Sequence, residues 1–173
     1  LWIFIYLGFG LLQNFEASKL GIELAKSRNH DYEKLTVKPS FGNLFLWKIV
    51  YLHEDNYFVD SVNLFGKTKF CFGKSIPKLD VKKHYQELDP ASQQFKDIKR
   101  FSWFSQGYLG FNKDKDLITD VRYSSIPNEV DGLWGIKLNR DPNYIGHITW
   151  ITNRSKFKKT WPKFSSMLFG GEC

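Results

Sequence analysis

The first twelve positions, Leu1 to Leu12, hold only apolar residues and glycine, and no charge occurs before Glu16. A membrane-spanning helix needs about 20 apolar residues, so this run alone falls short of a span. Trp2 and Tyr6 within it are residue types enriched at membrane interfaces. Beyond it, Phe15, Leu20, Ile22, Leu24 and Ala25 alternate with Glu16, Lys19, Glu23, Lys26 and Arg28 in an amphipathic pattern. The spacing predicts one helix over residues 1–30, with Asn29 at its end and His30-Asp31 opening a turn.

The period then changes from helical to extended. Leu44 to Leu52 is a run of strand formers broken only by Lys48, and Tyr57 to Phe65 repeats the character after the polar loop His53-Glu54-Asp55-Asn56. Together they predict a hairpin, with a third short strand at Lys69 to Phe72. Asp89-Pro90 sets up a helix cap and first position, with Phe95, Ile98, Phe101 and Phe104 on one side and Gly107 as the stop. Tyr108–Phe111 and Leu117–Tyr123 predict a second hairpin, and Leu133–Leu138 a strand pairing with His147–Ile151 across the Asp141-Pro142-Asn143 turn. The expected fold is α+β: an N-terminal helix, an antiparallel sheet of five or more strands, and one or two helices packed on it. Residues 31–173 are expected to form a single domain.

Composition agrees with a folded chain and excludes several classes. With 173 residues, 17% of them aromatic, 6 Pro and 13 Gly, it is neither disordered nor fibrous. The balance of 25 basic against 18 acidic residues leaves a net charge of +7. Cys71 and Cys173 are too few for a disulfide framework, and Cys71, between Phe70 and Phe72, reads as a small buried residue. The four histidines, His30, His53, His84 and His147, show no metal-ligand spacing. Phosphate-binding glycine loops, nucleophile elbows and zinc-helix motifs are all missing. No catalytic and no metal-ligating residue is assigned. Met167 is the sole methionine, so the chain reads as part of a longer product whose opening residues are the last turns of a membrane span.

Three polar features stand apart. Asp120 and Arg122, two apart in the Leu117–Tyr123 run, share one face of a strand and suit an ion pair. Phe101-Ser102-Trp103-Phe104-Ser105-Gln106-Gly107 places hydroxyls among aromatics, as a core segment or a pocket wall. Arg154, Lys156, Lys158, Lys159 and Lys163 put five positive charges within ten residues, interleaved with Phe157, Trp161, Phe164 and Leu168 at helical spacing. Such a segment suits an anionic membrane surface, with Trp161 among the contacts, or docks its stripe on the sheet. Pro162 argues for a turn followed by a short helix.

In order along the chain, Tyr6-Leu7-Gly8-Phe9-Gly10 with Gln13, Ala17, Leu24-Ala25 and Arg28-Asn29-His30, then Pro39, Asn43-Leu44 and Leu46-Trp47-Lys48-Ile49-Val50-Tyr51, make up one group of segments. Tyr57-Phe58-Val59, Phe101 to Gly107 and Thr119-Asp120-Val121-Arg122-Tyr123 follow them. This series resembles the inner-membrane-associated metal-dependent hydrolases, a bacterial family also labelled LexA-binding. The resemblance covers residues 1–123, and Lys48 stands where the family has arginine. It implies the C-terminal domain of an integral-membrane hydrolase, with a divalent metal held in an N-terminal membrane part outside this chain and no cofactor in this portion. It implies the membrane surface and that membrane part as partners. It makes Trp47, Lys48, Trp103, Ser105, Asp120 and Arg122 candidate groove residues. Basic residues Lys19, Lys26, Arg28 and Lys34 after the apolar run favour a cytoplasmic face for the domain. The competing reading is a basic, aromatic nucleic-acid module; it ranks lower because most aromatics alternate with apolar residues inside strands.

Overall fold

The computed structural model of the chain describes residues 1–141, 143–154 and 157–173; Pro142 of the expected turn and Lys156 of the basic segment lie outside them. Helix α1 spans Trp2–Ser27, and Asn29 follows in a left-handed conformation (φ 57°), where the helix was expected to end. Its buried residues all lie in the second half: Ala17, Gly21, Leu24 and Ala25 pack against the sheet that follows.

That sheet is antiparallel, with strands β1 (Lys34–Pro39), β2 (Leu46–His53), β3 (Asn56–Asn63) and β4 (Lys69–Cys71) in that order. A short β5 (Ser75–Pro77) also pairs with β3. The β2–β3 hairpin matches the expected one, but its turn is only two residues, Glu54 and Asp55, both with positive φ. Positive φ at both positions gives the twist that a tight antiparallel hairpin needs.

A second antiparallel sheet of β6 (Leu109–Asn112), β7 (Leu117–Asp120), β8 (Trp134–Lys137) and β9 (Thr149–Thr152) takes the place of the expected continuation of one sheet. The α+β class holds, while the strands divide. Between β5 and β6 the chain leaves the first sheet to form α2 (Val81–His84) and α3 (Gln93–Phe104), and it returns touching that sheet at a lone bridge, Lys78 to Gly110. Helix α3 starts at Gln93, with the Ser92 hydroxyl accepting from Phe95 N, because Asp89 instead accepts from Ala91 N. Strand β7 stops at Asp120, so Arg122 belongs to the following turn.

Period-two alternation divides the burial of β2. Trp47, Ile49 and Tyr51 face α1 together with Val37 and Val62. Leu46, Val50 and Leu52 face the other way, toward the second sheet and the last helix, α4 (Phe157–Leu168). Lys48 lies on that second face and is 3% exposed. Helix α4 runs through Pro162, against the expected turn, and docks Phe164 and Met167 on Leu46, Cys71 and Ile126. Burial of those two side chains, about 2 kcal/mol apiece, outweighs one missing helical hydrogen bond. The docking carries the C-terminus back across the first sheet, where Cys173 forms a disulfide with Cys71. The two cysteines are therefore partners, which 102 residues of separation hid from the sequence.

Candidate functional site

A cavity of about 600 Å³ opens between the sheets and draws its walls from five segments. Pro39, Ser40 and Phe41 come from the end of β1 and its loop, Lys48 from β2, Arg122–Ser125 and Pro127 from the turn after β7, Leu133 and Trp134 from β8 and its approach, and Arg154 from beyond β9. Its volume and its mix of apolar walls with few polar groups are those of a small-molecule site.

The turn after β7 is held by a buried ion pair. Asp120 Oδ1 accepts from Arg122 N and Nε, both at 3.0 Å, and Oδ2 accepts from Nη2 at 2.8 Å. Arg122 also donates to Gln106 Oε1 and to the Phe104 carbonyl, tying the turn to the end of α3. The pairing expected from sequence forms, and it uses every nitrogen of the guanidinium. Gly132 closes the frame from the other side: a Cβ there would meet Thr119 Oγ1 at 2.2 Å and the Asp120 carbonyl at 2.5 Å. Only glycine allows that approach, which lets Leu133 N donate to the Tyr123 carbonyl and sets Trp134 beside Tyr123, ring centroids 5.7 Å apart.

Lys48 reaches the cavity from an otherwise apolar strand face. Its Nζ donates to Ser124 Oγ and to the Glu129 carbonyl, each at 2.7 Å. Burial drives its pKa down to about 7, against the weaker opposing pull of Asp120 and Glu129. Lys38, opposite Lys48 on β1, is also pushed down, first by burial and then by the charge of Arg122. On β3 the residue opposite is Ser61, fully buried, whose hydroxyl has no hydrogen-bond partner among the described residues. At the mouth, the Arg154 guanidinium sits 5.5 Å from the centre of the Trp134 ring.

Of the six groove candidates, Lys48 and Arg122 line this cavity and Asp120 supports it. Trp47 faces α1 and donates to the Leu44 carbonyl. Ser105 is buried, its hydroxyl spent on the Phe101 carbonyl at the end of α3, and Trp103 is 82% exposed on that helix. Neither is a cavity wall: the aromatic segment splits its faces between core and solvent. Arg154 joins the cavity instead of standing only in the basic segment. Of the rest of that segment, Lys158 and Lys159 are exposed on α4. Lys163 pairs with Glu129 at 3.4 Å and Trp161 is half-exposed. Ser124, Tyr123 and Trp134 were missed; Tyr123 and Ser124 were signalled by adjacency to Arg122, whereas Trp134 comes beside Tyr123 only through the fold.

Among the described residues no three His, Cys, Asp or Glu side chains converge as metal ligands. His30 and His53 stack with centroids 4.3 Å apart, but one is engaged with the Tyr51 hydroxyl and the other with the Asp31 carbonyl. No family model, curated protein or solved structure matches the chain.

Proposed function

We propose that the chain is the membrane-proximal, substrate-facing domain of an integral-membrane hydrolase of the kind its first 123 residues resemble. In this reading it is held at the bilayer by the first half of α1, and the metal chemistry belongs to a membrane part outside it. The observation that carries the reading is the surface of α1. Leu1, Trp2, Phe4, Leu11, Leu12 and Phe15 are each at least 70% exposed, and Ile3, Ile5, Tyr6 and Leu7 more than half. At 100° per residue these positions point in every direction around the helix. A protein partner covers a stripe, whereas an all-round apolar surface calls for an apolar medium. The eight residues before Phe9 project about 12 Å, enough to enter the outer part of a bilayer core of about 30 Å. No helix among the described residues is long and apolar enough to cross a membrane.

The cavity and the root of this helix share one loop, although α1 packs on the face of the first sheet opposite to Lys48. Phe9 of α1 packs on Phe45, which packs on Phe65, and Gly10 faces the Leu44 side chain. The same loop, knit by Asn43 accepting from Phe45 N and Leu46 N, supplies Ser40 and Phe41 to the cavity wall. Exposed Phe41 and Phe65 extend the apolar collar around the root. The last turn of α4 is tied to the same end, Asn63 Nδ2 donating to the Met167 and Leu168 carbonyls. Its exposed Lys158 and Lys159, with Arg154, Trp161 and Lys163, are the proposed contacts with anionic headgroups. The disulfide favours the oxidising side of the membrane. In this reading it outweighs the basic flank of α1, whose lysines and arginine carry only a statistical preference for the cytoplasmic face.

Flotation with phosphatidylcholine vesicles at high salt tests the anchoring. The full chain is expected to float, and an Ile5→Lys/Leu12→Lys variant to stay with the protein-only fraction. A wild-type chain that stays behind, or a doubly charged variant that floats equally, overturns the reading.

A further inference from the structure

Lys48 is a charge without a counter-charge. It occupies the middle of β2 on a face whose other members are Leu46, Val50 and Leu52, where an ammonium is expensive unless paired. Both acids that feel it are committed: Asp120 gives its two oxygens to Arg122, and Glu129 pairs with Lys163. Its two acceptors, the Ser124 hydroxyl and the Glu129 carbonyl, are neutral, while an ammonium carries three donors. The unpartnered Ser61 hydroxyl lies across the strand from it. Lys48 lines the cavity, which Arg154 guards at its mouth.

The walls narrow the choice of anion. Beyond the serines and the cations, the cavity is bounded by Pro39, Phe41, Tyr123, Pro127, Leu133 and Trp134. These surfaces offer rings and methylenes, with few groups to read a sugar or a base edge. They suit an alkyl chain. We infer that the cavity binds a single-chain anionic amphiphile, its phosphate or carboxylate on Lys48, whose third donor is free while the Ser124 hydroxyl is spent on the Ile126 carbonyl, and its chain against Tyr123, Leu133 and Trp134. This ligand class deepens the membrane-proximal reading, on which it rests for its source, since such molecules reside in bilayers.

The test is calorimetry on the full chain held in a non-ionic amphipol, with hexyl phosphate as the probe. Inorganic phosphate and hexyltrimethylammonium serve as comparison probes. Hexyl phosphate is expected to bind saturably, and the other two to give at least tenfold weaker binding. Lys48→Met is expected to weaken hexyl phosphate at least tenfold, and Lys48→Arg, which restores the charge, to recover most of it. Ser125→Trp, which fills the cavity from its wall, is expected to abolish it. Lys48→Met binding at wild-type affinity, inorganic phosphate binding as tightly as hexyl phosphate, or the cation competing equally would each overturn the inference. Flotation separates the two proposals. A chain that binds hexyl phosphate through Lys48 without floating loses the anchor and keeps the site; one that floats without Lys48-dependent binding loses the site alone.

Discussion

Lys48 shows how one residue can set both the stability and the chemistry of a site. In the unfolded chain a lysine takes up its proton below a pH of about 10.4. In the fold Lys48 does so only below about 7, mainly because it is buried. Between those values unfolding takes up a proton, so the wild type gains stability as pH rises through that window. Below pH 7 the fold carries the whole cost of the buried charge, about 5 kcal/mol for a shift of this size. Lys48→Met removes the cost and keeps the volume, so it should stabilise the protein most at pH 6, with the gain fading toward pH 10. Urea unfolding of both proteins at the two pH values checks this, and an equal difference at both would show that the charge is not what matters. The residue was legible in the sequence as the single break in an apolar strand. Its cavity was not, because Ser124 and Glu129 lie 76 and 81 residues away and meet it only when the sheets stack.

At the scale of elements, local pattern and long-range pairing part company. The β2–β3 hairpin was legible from dense strand formers on both sides of a polar turn, and α4 from its stripe, of which Phe164 is buried, with Met167 beside it although outside the stripe. β1 was not, since Lys34-Leu35-Thr36-Val37-Lys38-Pro39 offers two apolar side chains and draws its order from pairing with β2 along all six residues. Nor was the division into two sheets, which is decided by where the chain re-enters after α3. Helix α4 rests on three kinds of contact: apolar docking, the two Asn63 hydrogen bonds, and the Cys71–Cys173 bridge just beyond its end. Phe164→Ala should cost about 3–5 kcal/mol, and the Cys71→Ser/Cys173→Ser pair about 2–4 kcal/mol for so long a loop. Combined, the changes should cost less than the sum, because either alone already loosens the same helix. Denaturant unfolding of the three variants measures this, and strict additivity would mean that the bridge and the docking act on separate parts of the fold.

For the whole molecule, the two ends of the chain define its orientation. The apolar half of α1 marks one end, with Phe45, Phe65 and the last turn of α4 gathered at its root, and the cavity shares the loop at that root. Under the membrane-proximal proposal, the face that presents the cavity is set by the disulfide, since a bridge between Cys71 and Cys173 persists only where no reducing thiol pool acts on it. In cells making the full protein, rapid acid quenching and maleimide blocking of free thiols, then reduction and a second, mass-tagged maleimide, should add two tags per chain. Thiols already blocked in the first step would mean that the bridge is open in the cell. The basic residues that follow the apolar run of α1 would then decide the orientation, and the cavity would face the cytoplasm.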